Sequence, residues 1–163
     1  MKGIATFATH IDLPAQMRER MIELLNAQLA DTADLYSQTK QAHWNVKGPH
    51  FMQLHLLFDQ LAEALFPWID TIAERATALG GMATGTVRMA GAASRLPEWS
   101  LEVVEGMASV EELVERYADL AASTREAIKS AADLGDADTA DLFTNQSREL
   151  DKALWFLQSH LQG

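Results

Sequence analysis

The fold class is decided by residues 49–81, PHFMQLHLLFDQLAEALFPWIDTIAERATALGG. Apolar residues recur there at the spacing that places them on one face of a helix. A proline at the start and the Gly80-Gly81 pair at the end are typical helix boundaries, so the stretch predicts one long helix opening at Pro49. Pro67 removes one backbone hydrogen bond inside it. We expect a kink there rather than an end, because apolar periodicity resumes at Trp68.

The rest of the chain predicts three more long helices and no strand, because apolar residues recur at helical spacing almost everywhere. The first helix can start near Asp12 as its N-cap, with Pro14 in its first turn. Its end is indicated by Asn45 and Gly48. The third long helix can start at Ser109, where Ser-Val-Glu-Glu matches a capping box.

The fourth long helix can open near Asp136 or Asp138 and run almost to the last residue. Between the second and third lies a stretch of residues 80–107, rich in Gly, Ala and Ser and too long for a hairpin loop. It suits a crossover along the bundle, with a short helix around residues 87–93. We therefore predict an all-α, ferritin-like four-helix bundle with one long crossover, in a single domain spanning residues 1–163.

Composition limits the possible functions. The 163 residues include 13 Lys and Arg against 23 Asp and Glu, and the resulting net charge of −10 disfavours nucleic acid and attracts cations. Because cysteine is absent, a bound metal must take oxygen and imidazole ligands. No apolar run suits a membrane span or a secretory signal, so we expect a cytoplasmic protein.

Two pairs of candidate metal ligands lie on the predicted second helix. His55 and Asp59 are four residues apart and so share one face of the helix. Asp70 and Glu74 have the same spacing, on the same stripe. Asp59 and Asp70 are about 16 Å apart along the axis, so one metal cannot touch both pairs. His43, at the end of the first helix, is a fifth candidate.

A second copy of the chain could complete these sites. If two such helices ran antiparallel about a two-fold axis, His55 and Asp59 of one chain would face Asp70 and Glu74 of the other. Two identical sites would then form. Imidazole with carboxylate suits Fe(II), Mn(II) or Zn(II). The simpler interpretation is that these side chains are solvated, since acidic helices produce such spacings by chance.

Several segments together resemble the signature of the Dps family, the DNA-binding proteins from starved cells. They are HWNVKGPHF at 43–51, LHLLFD at 54–59, DTIAER at 70–75, DTADL at 138–142 and DKALWFL at 151–157. The resemblance implies a dodecameric shell with a ferroxidase centre at each two-fold interface. It implies that Fe(II) is oxidised there, by hydrogen peroxide in preference to dioxygen, and that the ferric mineral is stored inside, which suppresses hydroxyl radicals.

The same resemblance assigns roles to individual residues. One subunit would supply His43, His55 and Asp59, and its neighbour Asp70 and Glu74. Trp44 matches the family tryptophan near the metal, where it could quench a stray oxidising equivalent, although an interface or core position explains it equally. Trp155 and Phe156 are expected to pack in the core. Asp138 and Asp141 match residues near a three-fold pore for iron entry, although carboxylates at a helix start also serve as caps.

Two alternatives stay open. The chain could instead be a structural protein that compacts the nucleoid and has a vestigial metal site. Its termini argue against this, since the residues before Pro14 include one Lys and no Arg, and those after Trp155 include neither. Twelve chains, each at −10, would carry a formal charge of about −120. A smaller oxidoreductase with an intrasubunit di-metal site would need Glu-x-x-His motifs, and the sequence has none.

Overall fold

The computed structural model describes residues 6–162, and within them the regular elements are five helices and no strand. They are α1 (Ala15–Asn45), α2 (Phe51–Ala78), α3 (Val87–Ala93), α4 (Gly106–Asp133) and α5 (Ala137–Gln158). The long helices α1 and α2 pack as one hairpin and α4 and α5 as another, while the short α3 packs on α1. The predicted all-α bundle is confirmed, as is the short helix in the crossover.

Two predicted N-caps are wrong. α1 begins directly after Pro14, which makes no side-chain cap, so Asp12 is not the N-cap. α4 begins three residues before the expected Ser109, because the Glu105 carboxylate accepts a hydrogen bond from the Ala108 amide at 2.9 Å and caps the helix. Ser109 lies inside the first turn, where its hydroxyl donates to the Glu105 carbonyl at 2.9 Å.

Helix α2 begins at Phe51, two residues after the expected Pro49, whereas its end before Gly80 and the end of α1 at Asn45 agree with the sequence. Helix α2 continues through Pro67, and α5 takes Asp136 as its N-cap, the first of the two expected positions. Glycine is required where α2 ends. Gly80 has a φ of 88°, and a Cβ there would lie 2.4 Å from the Phe7 carbonyl oxygen. The Gly80 carbonyl in turn accepts a hydrogen bond of 2.7 Å from the Phe7 amide, which ties the N-terminal segment to this turn.

The bundle interior has two apolar clusters, one towards each end. One includes Phe58 and Leu113, and the other includes Leu25 and Phe143. The helices also bury four amide and hydroxyl side chains, those of Gln28, Thr32, Thr124 and Gln146. Two hydrogen bonds pair these groups: the Gln146 amide nitrogen donates to Thr32 at 3.0 Å and the Thr124 hydroxyl donates to Gln28 at 3.4 Å, while Oε1 of Gln146 has no partner within the described residues.

Candidate metal centre

His43 and His55 are held together by the short connection between α1 and α2. The Nδ1 atom of His43 lies 2.8 Å from the carbonyl oxygen of His55, and the Nδ1 atom of His55 lies 2.9 Å from the carbonyl oxygen of His43. The rings stack, with their centroids 3.8 Å apart and an interplanar angle of 18°. Because a carbonyl oxygen only accepts, each Nδ1 carries the hydrogen and donates it.

This exchange determines which ring nitrogen is available to a metal. With hydrogen on Nδ1, each neutral imidazole keeps its lone pair on Nε2. Histidines that bind metals commonly donate their other ring N–H to a carbonyl or carboxylate in this way, because it fixes the tautomer and the ring orientation. Both histidines therefore present a ready donor atom.

The end of α1 explains why the His43 carbonyl is free to accept. It lies in the last turn of the helix, where carbonyls lose their partners four residues further on. The amide of Lys47 would be that partner, but it donates to the Val104 carbonyl at 2.8 Å. His55 supplies the missing donor from the first turns of α2.

Asp59 adds a carboxylate one turn beyond His55. Its Oδ1 atom lies 3.9 Å from Nε2 of His43 and 2.5 Å from the ammonium of Lys40. The hydrogen bond from Lys40 holds the pKa of Asp59 below its ordinary value, partial burial opposes this, and the nearby His43 assists it. Asp59 therefore stays ionised at neutral pH, and its ion pair is lost only as the pH falls through that lowered pKa.

Asp70 and Glu74 lie elsewhere on the chain surface. Both are exposed on the second half of α2, as the eleven-residue spacing predicts, and do not approach the histidines. In residues 6–162 no group of three or more His, Cys, Asp or Glu side chains is arranged to hold a metal ion. One chain thus brings His43, His55 and Asp59 near one another, a group termed here the half-site, and leaves Asp70 and Glu74 apart from them.

The aromatic residues do not follow the sequence-based expectations. Trp44 is 62% exposed, so its alternative role in the core of the chain is wrong, and it lies 6.0 Å from the ammonium of Lys40. Trp155 is 63% exposed, so its predicted core position is also wrong. Phe156, beside it, is only partly buried. Sequence periodicity places a residue on a helix face, but it does not reveal what covers that face.

The acidic run at the start of α5 divides into two kinds of residue. Asp136 is 2% exposed, caps the helix through the Thr139 amide and accepts a hydrogen bond of 2.7 Å from Arg75. The side chain of Asp138 is 86% exposed. Asp141 is also exposed, where it accepts a hydrogen bond of 3.2 Å from Asn145. Asp136 is therefore the cap of α5, while Asp138 lies in the first turn, 3.9 Å from Arg75, where the helix dipole also favours a carboxylate.

The bundle interior does not favour the alternative intrasubunit di-metal site. Its middle layer consists of neutral amides and hydroxyls that bond to one another, whereas such a site needs carboxylates and imidazoles projecting inward. Tyr117 lies near this layer, and burial raises its pKa so that the phenol stays neutral.

Across residues 6–162, no helix is long and apolar enough to cross a membrane.

Sequence reasoning missed Lys40 as a member of this half-site. Lys40 lies three residues before His43 and therefore on the same face of α1, one turn away. That spacing was available as a signal. The ion pair itself joins two helices, so it required the packing of α1 on α2 to be known.

Comparison with known proteins shows the family of the chain. A family model described as a ferritin-like domain matches residues 22–163. The chain is 41% identical over 157 residues to a DNA protection during starvation protein of Agrobacterium fabrum, covering 96% of this chain and 97% of that protein. The solved structure of DpsC from Streptomyces coelicolor matches with a TM-score of 0.92 at 31% identity, covering 98% of this chain and 93% of that one.

A Dps protein of Vibrio cholerae O1 matches with a TM-score of 0.89 at 27% identity, covering 98% of this chain and 100% of that one. That protein is described as a member of a broad superfamily of ferritin-like diiron-carboxylate proteins. The family model, the sequence relatives and the solved structures all lead to one assignment. This chain belongs to the Dps family of ferritin-like proteins.

Proposed function

We propose that the protein oxidises Fe(II) at centres shared between subunits and stores the ferric product inside a dodecameric cage. Membership of the ferritin-like Dps family supports iron storage. Hydrogen peroxide, in preference to dioxygen, is the proposed oxidant. Consuming Fe(II) and peroxide together protects the cell from hydroxyl radicals. Iron is here the substrate, and the residues that bind it are His43, His55, Asp59, Asp70 and Glu74.

One observation carries the proposal. His43 and His55 donate their Nδ1 hydrogens to each other's carbonyl oxygens, which leaves both Nε2 atoms as donors, that of His43 lying 3.9 Å from the Asp59 carboxylate. Simple solvated histidines have no reason to be locked in this tautomer. Two imidazoles with one carboxylate suit Fe(II), and they leave coordination positions open for an oxidant.

The missing ligands are available from a second copy. Asp70 and Glu74 are exposed on the same helix as His55 and Asp59, so an antiparallel pairing of α2 with a two-fold-related α2 brings each half opposite the other. The surface around the half-site supports such a contact, because several large apolar side chains are exposed there. They include Trp44 at 62%, Leu56 at 59% and Phe66 at 60%.

Each residue has a defined part in this proposal. The imidazoles hold Fe(II) as neutral donors, and the three carboxylates neutralise its charge and that of the ferric product. Trp44 lies next to the site on the exposed face and can donate an electron to a stray oxidising species before it reaches other residues. Asp138 and Asp141, exposed at the start of α5, attract Fe(II) to an entry pore.

Mixed cages test whether the centres are shared. A chain with His43→Ala and His55→Ala and a chain with Asp70→Ala and Glu74→Ala should each be inactive alone. After dissociation and reassembly in equal amounts, half of the interfaces are hybrid and each contains one intact centre, so we expect about a quarter of the wild-type oxidation rate. The rate is followed through the absorbance of the ferric product.

A matched control has two lesions in the same half of the centre. Mixing the His43→Ala, His55→Ala chain with an Asp59→Ala chain leaves every hybrid centre defective, so the mixture should stay inactive. Recovery in this control, or no recovery in the first mixture despite verified mixed cages, would contradict centres shared across a two-fold interface.

A further inference from the structure

We propose that Lys40 is a built-in counter-cation of the metal centre, which occupies Asp59 when metal is absent and must leave before Asp59 can bind a metal ion. Lys40 would thereby set the affinity of the centre for divalent cations. This inference rests on the proposed function and adds a residue to it. Lys40 itself is not a ligand, because an ammonium group has no lone pair to offer.

The ion pair occupies the atom that a metal would need. The ammonium nitrogen of Lys40 lies 2.5 Å from Oδ1 of Asp59, the same oxygen that faces Nε2 of His43 at 3.9 Å. Lys40 thus already bonds to the carboxylate oxygen that lies within 4 Å of the donor nitrogen of His43. A divalent ion bound to that oxygen would compete with the ammonium for it, and the two positive charges would repel each other.

The pair is sheltered enough for this competition to matter. The Lys40 side chain is 21% exposed and that of Asp59 is 39% exposed, so water screens the pair less than it screens a fully exposed pair. Removing the ammonium should therefore change metal affinity measurably.

The structure also provides a place for the displaced ammonium. Lys40 and Asp59 line a cavity of about 330 Å³ together with Glu63, which lies one turn beyond Asp59 on α2. Glu63 is exposed and offers a second carboxylate in the same space. Rotation of the flexible lysine side chain from Asp59 towards Glu63 would open the metal position while keeping the positive charge partnered.

Metal titration of the assembled protein tests the role of Lys40. Co(II) serves as the probe in isothermal titration calorimetry, which needs no oxidation step. We expect Lys40→Met to bind Co(II) about three- to tenfold more tightly than the parent. Lys40→Arg keeps the charge and should stay within about twofold of the parent. Equal affinity of the parent and Lys40→Met would overturn the inference.

A second lysine variant controls for net charge. Lys152→Met removes the same charge from α5, where Lys152 is 57% exposed and lies 3.9 Å from Glu149. It should leave Co(II) affinity unchanged. If it tightened binding as much as Lys40→Met, general attraction of cations to a more acidic cage would be the cause, and the specific role of Lys40 would be wrong.

Asp59→Asn separates this inference from the proposed function. If the parent binds Co(II) and Asp59→Asn loses that binding, the centre exists whatever Lys40 does. If the parent and Asp59→Asn titrate alike, the proposed centre fails and the inference fails with it. A functioning centre with no effect of Lys40→Met rejects the Lys40 inference alone.

A double-mutant cycle tests the part assigned to Glu63. Glu63→Gln should weaken Co(II) binding in the parent, because the displaced ammonium loses its second partner. In the Lys40→Met background the weakening should be at least about twofold smaller, since no ammonium needs to move. Equal weakening in both backgrounds would show that Glu63 only adds negative charge, and would overturn the proposed movement of Lys40.

Discussion

At the scale of single residues, the proposed centre depends on hydrogen positions that the backbone determines. His43 and His55 each give their Nδ1 hydrogen to the other's carbonyl oxygen, at 2.8 and 2.9 Å. Each ring is thereby oriented before metal arrives, so little further ordering is needed on binding. The arrangement also makes the two residues interdependent, because removing one ring removes a hydrogen bond from the backbone of the other.

Replacing one histidine should accordingly cost more than one ligand. We expect His43→Ala to weaken Co(II) binding by at least about tenfold and to slow Fe(II) oxidation to a similar extent, since it removes one donor and frees the His55 carbonyl. Calorimetry and the rise of ferric absorbance measure the two effects. His10→Ala is the matched control, because His10 is exposed near the N-terminus. An undiminished rate in His43→Ala cages would contradict a role as ligand.

At the scale of helices, the first turn of α5 is joined to the last turns of α2 by a buried charge. The carboxylate of Asp136 caps α5 through the Thr139 amide at 3.1 Å and also accepts from Arg75 of α2 at 2.7 Å. Arg75 further donates to the Thr139 hydroxyl at 2.9 Å. Arg75 directly follows Glu74 in the sequence, so this contact holds the turn that carries a proposed ligand.

Breaking this connection should destabilise the protein strongly. Asp136→Ala leaves Arg75 partly buried without its carboxylate and removes the cap, at a cost of about 3 kcal/mol. At constant protein concentration, we expect the Tm to fall by about 6–12 °C in differential scanning calorimetry. Asp133→Ala, an exposed change at the end of α4, should shift the Tm far less. Similar losses in the two variants would mean that Asp136 is no more than a surface charge.

At the scale of the whole molecule, charge and exposed apolar surface are distributed in a way that suits a cage. The exposed apolar residues Trp44, Leu56 and Phe66 lie around the half-site on α1 and α2 and are available for contact with a second copy. The exposed carboxylates Asp138 and Asp141 lie at the start of α5. With a net charge of −10 on each chain, assembly concentrates negative potential, which attracts Fe(II).

The proposed entry pore leads to a prediction about iron uptake. Asp138→Asn with Asp141→Asn should slow uptake at low Fe(II) without disturbing assembly, and higher Fe(II) should lessen the defect. Asp136 caps α5 and is unchanged in this variant. A slower rate would therefore result from the lost negative charge and not from a lost helix cap. Stopped-flow uptake with size-exclusion chromatography measures both properties. Unchanged uptake at low Fe(II) in intact cages would place the entry route elsewhere.

The net charge also leads to a prediction about DNA. At about 0.15 M salt and without divalent metal, the protein should not retard linear duplex DNA in a gel, because the phosphates are repelled. Lys2 is the one basic residue before Pro14 and lies outside the described residues. A variant with several added N-terminal lysines is the positive control. Retardation of DNA by the parent in the presence of chelator would favour the alternative role in nucleoid compaction.

Sequence alone determined the helices, the crossover and the pairs of candidate ligands on α2. Apolar periodicity and the Gly80-Gly81 terminator are local signals, which is why the α2 helix and the short α3 could be predicted. The separation of Asp59 from Asp70 was also predictable, because helical rise converts eleven residues into a distance without knowledge of any other helix. The net charge follows from the amino-acid composition alone.

Tertiary structure decided the features that join residues far apart in the chain. Lys40 bonds to Asp59, and Arg75 bonds to Asp136, only because different helices pack together. The exposure of Trp155 depended in the same way on which faces its neighbours cover. These contacts and exposures depend on which side chains and helix faces meet, and they meet only in the folded chain.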